Sequence, residues 1–163
     1  MPNTILDSEH RGSDSEHKSL RLWLRLLTCS NLVENHLRAR LRTEFNSTLP
    51  RFDLMAQLYR YPDGMRMGDL SKLMMVSGGN VTGICNQLEK EQLVVREVCS
   101  GDRRAFVVKL SKKGQRLFDK MSVAHESWLV ELFAELKERD VSELMDGLGQ
   151  IKQSIHRLEQ SAQ

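Results

Sequence analysis

The fold is constrained first by two short apolar stripes with helical spacing and by a segment between them that contains three small residues. The small residues are Ser77-Gly78-Gly79. The stripes consist of Leu70, Leu73 and Met74, followed by Val81, Ile84 and Leu88. Apolar residues three and four positions apart predict helices that each bury one face. Two such helices joined by a short turn that contains glycine form a helix-turn-helix.

The start of the second helix is built from small and polar residues. In a helix-turn-helix this region meets base edges in the major groove of DNA, where Ser and Thr bond several bases and Asn pairs with adenine. Ser77 and Asn80 suit helix capping equally well, so both roles stay open. Farther along, Asn86 and Lys90 are either phosphate contacts or part of a solvated face. The predicted DNA contacts on this helix are Ser77, Gly78, Gly79, Asn80, Thr82, Gly83, Asn86 and Lys90.

Two β-branched segments follow the second helix and predict a β-hairpin. Residues 94–98 and 105–110 read as strands, the second with Phe106, Val108 and Leu110 on one face. The turn between them contains Gly101 and two consecutive arginines, Arg103 and Arg104. A cationic hairpin directly after a helix-turn-helix predicts a winged helix, in which the hairpin inserts an arginine into the narrow minor groove. The alternative is an ordinary solvated turn; the DNA-binding interpretation adds Asp102, Arg103 and Arg104 to the predicted contacts.

The hairpin and the second helix resemble one known family. Residues 102–114, with Asp102, Arg104 and Gly114 at their fixed spacing, resemble the wing signature of the MarR family of bacterial regulators. Residues 79–89 resemble the recognition helix of that family. The resemblance covers nearly the whole chain from Ser19 and implies a dimeric winged-helix repressor that binds double-stranded DNA. It also implies that Arg104 is the minor-groove arginine and that Asp102 holds it in place; the family often has a basic residue where this chain has Gly83.

The remaining segments predict long helices that need a second subunit. Helices are expected over 17–45, from Pro50 to the Pro62-Asp63-Gly64 segment, over 112–136 with Ser111 as N-cap, and through Leu158 at the end. A helix above 20 residues spans ~30 Å or more, whereas a chain of this length has a gyration radius of only ~15 Å. We therefore expect a twofold homodimer joined through these helices, on a pseudo-palindromic operator.

The predicted fold class is thus mainly α with a small β-hairpin wing. The predicted domain organisation is a disordered polar tail over 1–16, a dimerisation and linker helix over 17–48, a winged helix-turn-helix lobe over 49–111 and dimerisation helices over 112–163.

Composition excludes several classes of protein. The net charge of the 163 residues is only +2, so the argument for DNA rests on the placement of the cations. The three cysteines show no CxxC spacing, and no metal site or cofactor is predicted. The chain has no signal peptide and no apolar run near 18 residues, so we expect a cytoplasmic protein without a membrane partner. Gly78-Gly79 lacks the lysine of a phosphate-binding loop, and we expect no enzyme activity.

A small effector is expected where the long helices meet the DNA-binding lobe. Residues 21–27, 49–54 and 78–83 resemble the MarR subgroup that controls hydroxycinnamate and aromatic acid catabolism, which implies an aromatic acid or a hydroxycinnamoyl-coenzyme A thioester as effector. An anionic coenzyme A tail would pair with arginines. The candidate lining residues, which could equally be core, are Trp23, Leu27, Asn31, Arg51, Phe52, His125 and Trp128.

Two alternatives to an effector-controlled repressor remain at this point. One is a repressor that senses oxidants through the thiol of Cys29. The other is a winged-helix module that binds a protein partner and no DNA.

Overall fold

A computed structural model describes residues 17–75, 77–99 and 102–161, with only the backbone described for residues 99 and 102–105. The predicted tail over 1–16 lies outside the described residues. The fold is mainly helical with one two-stranded antiparallel hairpin, as the sequence predicts. The elements in chain order are α1 (Lys18–Phe45), α2 (Leu49–Arg60), α3 (Met67–Met74), α4 (Gly78–Lys90), β1 (Val94–Cys99), β2 (Asp102–Leu110), α5 (Lys112–Phe133) and α6 (Glu138–Ser161). These form two compact units, Met1–His125 and Glu126–Gln163.

Side-chain caps fix where three helices of the first unit begin. The Thr48 hydroxyl accepts a hydrogen bond from the Arg51 backbone N–H at the start of α2. Ser77 does the same for the Asn80 N–H at the start of α4, and Ser111 for the Gly114 N–H at the start of α5. Each cap satisfies a backbone donor that lacks a partner within its helix. The capping role left open for Ser77 is therefore present, whereas Asn80 lies inside α4.

The hairpin is anchored to the first unit along one face. Val94 pairs with Leu110 and Arg96 with Val108, and the register shifts between Val98 and Cys99. An isolated bridge adds Met65 to β2, because Met65 and Val108 exchange two backbone hydrogen bonds, of 2.9 and 2.8 Å. Val94, Val108 and Leu110 are buried, so the base of the hairpin belongs to the core.

The core of the first unit joins the helix-turn-helix to α1, the hairpin and the start of α5. An aromatic cluster continues it, since the Phe52 ring lies 5.4 Å from Phe118 and 4.6 Å from His125, centroid to centroid. The buried apolar residues of this unit are Leu37, Leu41, Leu49, Phe52, Leu54, Met55, Leu58, Met65, Leu70, Val81, Ile84, Cys85, Leu88, Leu93, Val94, Val108, Leu110, Phe118 and Met121.

The second unit consists of the end of α5 and all of α6. Helix α5 ends at Phe133, three residues before the predicted end at Leu136, because the last turn tightens to three-residue hydrogen bonds from Ala134 to Glu131 and from Leu136 to Phe133. Helix α6 keeps the predicted apolar spacing but buries none of its described residues. Its exposed apolar side chains are Leu144, Met145, Leu148, Ile155 and Leu158.

Candidate nucleic-acid interface

Helix α4 has one face in the core and one face in solvent. The buried face consists of Val81, Ile84, Cys85 and Leu88. The predicted DNA contacts of this helix all lie on the exposed side, and they are Ser77, Gly78, Gly79, Asn80, Thr82, Gly83, Asn86 and Lys90. The structure thus brings these eight residues together on the surface of one helix, although it does not test their contact with DNA.

The three glycines of α4 have a property that internal packing does not explain. A Cβ atom placed on Gly78, Gly79 or Gly83 would meet no atom within 4 Å. Glycine inside a helix costs about 0.8–1 kcal/mol relative to alanine, and no neighbouring group of the protein needs the space. A surface without side chains on an exposed helix start is suited to the close approach of another molecule's backbone.

The hydroxyl groups of this surface are engaged within α4. The Ser77 hydroxyl caps the helix, and the Thr82 hydroxyl donates to the Gly78 carbonyl at 2.9 Å. Thr82 therefore offers an acceptor oxygen and a methyl group to a partner, and a methyl can contact thymine. Asn80 is exposed and carries an amide that can both donate and accept. Of the polar residues here, Asn80 has the chemistry best suited to reading a base.

The predicted wing is present as a hairpin beside α4. The backbone of Asp102, Arg103 and Arg104 lies in β2, but their side chains lie outside the described part of the chain. Their predicted roles at the minor groove therefore remain predictions.

Sequence reasoning missed Arg96, a half-buried cation on β1 that reaches α4. Its guanidinium donates to the Asn86 side-chain oxygen, and its Nε lies 3.3 Å from a Glu89 carboxylate oxygen. The alternation Val94, Arg96, Val98 contained a signal, because an arginine occupies a position where an apolar residue is expected. Asn86 therefore contacts the hairpin through its side-chain oxygen, and the residue is also exposed to solvent.

A cavity of about 400 Å³ is lined by residues of α2 and of the helix-turn-helix, together with His125 of α5. It contains two of the seven predicted effector residues, Phe52 and His125, whose rings are stacked. Its wall also includes Asn80 and Ile84 of α4, which sequence reasoning did not connect with a cavity. The remaining lining residues are Pro50, Asp53, Ala56, Gln57, Arg60, Leu73 and Met74.

The other predicted effector residues lie elsewhere. Trp23, Leu27 and Asn31 are exposed on α1. Arg51 forms a salt bridge of 2.5 Å with Glu91, just after α4, so its guanidinium holds two elements together. The list is completed by Trp128, which is buried and belongs to the second unit.

Burial shifts the pKa of several groups in the first unit. It lowers the pKa of His125, which favours the neutral ring. Burial, followed by repulsion from Glu34, raises the pKa of Asp53, while Arg38 lowers it. Burial also raises the pKa of the Cys85 thiol to about 11, so this cysteine is protonated and unreactive at neutral pH. Cys29, in contrast, is exposed.

Neither a metal-binding cluster nor a membrane-spanning helix is found in the described part of the chain. Within the described ranges, no group of three or more His, Cys, Asp or Glu side chains is arranged to hold a metal ion. None of the helices in these ranges has both the length and the apolar character needed to cross a bilayer.

Comparison with known proteins gives a consistent result. The profile of the MarR family matches residues 47–106, which contain the helix-turn-helix and most of the hairpin. A MarR family transcriptional regulator from Silicibacter pomeroyi is 36% identical, with a TM-score of 0.75 over 88% of this chain and 99% of that chain. The transcriptional activatory protein BadR of Rhodopseudomonas palustris is 26% identical over 145 residues, which are 87% of this chain and 82% of BadR.

A structure of MepR from S. aureus in complex with DNA shares the fold. Its TM-score is 0.69 at 20% identity, over 87% of this chain and 99% of that chain. The helix-turn-helix, the adjacent hairpin and the 36% identity over almost the whole length of a solved family member lead to one conclusion: this chain belongs to the MarR family of DNA-binding transcriptional regulators.

Proposed function

We propose that the protein is a homodimeric repressor that binds a pseudo-palindromic operator and is released by a small aromatic effector. The observation that carries DNA reading is the exposed start of α4, where three glycines leave space that no part of the protein occupies. DNA that approaches this surface can reach the Asn80 amide and the Thr82 methyl. The hairpin beside α4 is then in place to enter the neighbouring minor groove.

The uncovered stripe of α6 supports the homodimer. This helix buries none of its described residues, and the large apolar side chains exposed along one of its faces are Leu144, Met145, Leu148, Ile155 and Leu158. Water contact with such a stripe is unfavourable by about 25 cal/mol per Å². A second copy of the chain covers it by twofold symmetry, since the same surface then meets itself.

The cavity supports an aromatic effector that acts on α4 directly. Its volume of about 400 Å³ lies in the range of small-molecule sites. The Phe52–His125 stack offers an aromatic surface, and Arg60 offers a cation for a carboxylate. Because Asn80 and Ile84 form part of the wall, a ligand there contacts the helix that reads DNA. In a coenzyme A thioester, the acyl group would occupy this cavity and the nucleotide would extend outside.

The DNA-binding part is tested by selecting duplexes from a random pool with the full chain and then measuring affinity for the selected duplex and for a scrambled one. Asn80→Ala is expected to lower the ratio of the two affinities by about 5- to 100-fold, as loss of a base contact does. A wild-type protein that selects no sequence would instead favour the protein-interaction alternative. A reporter gene behind the selected sequence that rises with the protein present would contradict repression.

The effector part is tested by titrating ferulate and feruloyl-coenzyme A into the complex of protein and fluorescent operator. Release is expected, and operator is expected to weaken effector binding by the same factor, because linkage is reciprocal. Arg60→Gln should require more effector for release, whereas Arg116→Gln, an exposed cation outside the cavity, should behave like the wild type. Equal behaviour of both variants would contradict the site, and no release at all would contradict the effector while DNA reading stands.

Exposure of Cys29 supports one second candidate, control by oxidation. The other cysteine whose side chain is described, Cys85, is buried and protonated. If oxidation controls the protein, diamide will release operator from the wild type but not from Cys29→Ser. Release from both, or from neither, would remove this candidate.

A further inference from the structure

We propose that Arg96 is a positioning residue that sets the hairpin against α4, so that both elements engage adjacent grooves of DNA together. The inference rests on the proposed function, because it assumes that α4 reads the major groove and the hairpin enters the minor groove. It adds a residue that the sequence did not point to and that need not touch DNA itself.

Three contacts connect the Arg96 guanidinium to its surroundings. It donates to the Asn86 side-chain oxygen on α4, and its Nε forms an ion pair of 3.3 Å with Glu89 on the same helix. Its central carbon also lies 5.3 Å from the centre of the Phe106 ring on β2, a cation–π distance. One planar group therefore connects α4 with both strands of the hairpin.

The position of Arg96 along the hairpin makes this connection effective. On the face that meets α4, Val94 and Val108 are buried at the base, whereas Val98 is 64% exposed toward the tip. Arg96 lies directly opposite Val108, at the outer end of the buried zone and two residues before the exposed Val98. A contact at this point restricts rotation of the hairpin about its base, whereas a contact nearer the core would restrict it much less.

The same contact orients Asn86. Because the guanidinium is a donor only, it occupies the amide oxygen and leaves the amide nitrogen as the group that can donate outward. Asn86 is exposed on the DNA-facing side of α4, where an amide nitrogen suits a phosphate oxygen. Arg96 thus also fixes the amide of a predicted phosphate contact in its donating orientation.

The matched control for Arg96 is Lys109 on the same hairpin. Lys109 forms a salt bridge of 2.6 Å with Glu97, on the opposite face from Arg96, and it is also partly exposed. Lys109→Gln removes one positive charge from the hairpin without touching the contact with α4. Arg96→Gln removes the same charge together with that contact.

The experiment is a dimethyl sulfate footprint on a duplex selected by the wild-type protein. The reagent methylates guanine N7 in the major groove and adenine N3 in the minor groove, so one reaction reports both grooves. The full-length wild-type protein is expected to protect both. Arg96→Gln is expected to lose adenine protection while guanine protection persists, with operator affinity lower by about tenfold. Lys109→Gln should protect both grooves.

Arg96→Lys separates position from charge, because it keeps the cation but cannot make all three contacts at once. It is expected to resemble Arg96→Gln in the footprint. Full adenine protection by either Arg96 variant would overturn the inference, and so would parallel loss of both protections with a lower melting temperature, since that indicates a purely structural role. A wild-type protein that leaves adenine N3 unprotected would instead contradict the proposed placement of the hairpin.

Discussion

At the scale of single residues, the exposed surface of α4 that we propose to face DNA contains three glycines. Gly83 is exposed, and a Cβ there would meet nothing within 4 Å. The helix therefore gives up stability at this position without a gain in packing. The sequence resemblance adds that related proteins often carry a cation here, so Gly83 is the position where a phosphate contact is easiest to add.

Substitution of Gly83 tests this interpretation. Gly83→Arg is expected to raise DNA affinity and to steepen the dependence of log affinity on log salt by about 0.9, the effect of one additional neutralised phosphate. Gly83→Ala is the control. It should stabilise the fold by ~0.8–1 kcal/mol, because alanine favours a helix more than glycine does, and it should leave the salt slope unchanged. Fluorescence anisotropy at several salt concentrations measures the slope, and equal slopes for the two variants would show that position 83 does not face a phosphate.

His125 gives a prediction about pH. Burial lowers its pKa in the folded state below the ordinary value of 6.5, so the unfolded chain binds more protons once the pH falls below 6.5. The free energy of unfolding should therefore decrease from pH 6.5 downward, until the folded-state pKa is passed. Denaturant titrations of wild type and His125→Phe, which keeps a ring for the Phe52 stack, measure this contribution as their difference. A difference that does not vary with pH would contradict it.

At the scale of elements, the start of α5 packs closely against the residues that follow α4. A Cβ on Gly114 would lie 1.9 Å from the Leu93 carbonyl oxygen. Two side chains near the start of α5 bind the segment that follows α4. The Ser111 hydroxyl donates to the Gln92 carbonyl at 2.7 Å, and the Lys113 ammonium donates to the Glu91 carbonyl at 2.8 Å. Helix α5 thus begins directly against the turn that leaves α4.

Gly114→Ala should therefore destabilise the protein by about 1–3 kcal/mol, the usual effect of overpacking. Gly68→Ala is the control, because Gly68 lies in the first turn of α3 with nothing within 4 Å of a Cβ. Thermal unfolding should show a lower melting temperature for the first variant and an equal or higher one for the second. Equal melting temperatures for the two variants would mean that the turn relaxes freely.

The sequence predicts those features of the elements that depend on interactions between residues close together in the chain. Apolar spacing and the Ser111 cap act within a few residues, and they correctly predicted the order of the helices, the start of α5 and the hairpin. The Arg96–Asn86 contact and the wall formed by Asn80 depend on how elements pack, and no local pattern encodes that packing. Of the seven predicted effector residues, Phe52 and His125 line the cavity, and the role of all seven stays a prediction.

At the scale of the whole molecule, the proposed recognition of the operator requires two copies of α4 that act together. Each chain carries one helix-turn-helix, and the apolar stripe of α6 requires cover that we assign to a second chain. A twofold dimer places two recognition helices on half-sites separated by about one helical turn of DNA, 10–10.5 base pairs. In the proposed dimer, that geometry makes the operator a pseudo-palindrome.

The most direct test of this claim changes the spacing of the half-sites in the selected operator. Insertion of about five base pairs at the centre turns one half-site to the opposite side of the duplex. We expect affinity to fall to that of a single half-site, with two chains bound per intact operator by light scattering. Unchanged affinity after the insertion, or one chain bound per operator, would contradict the account.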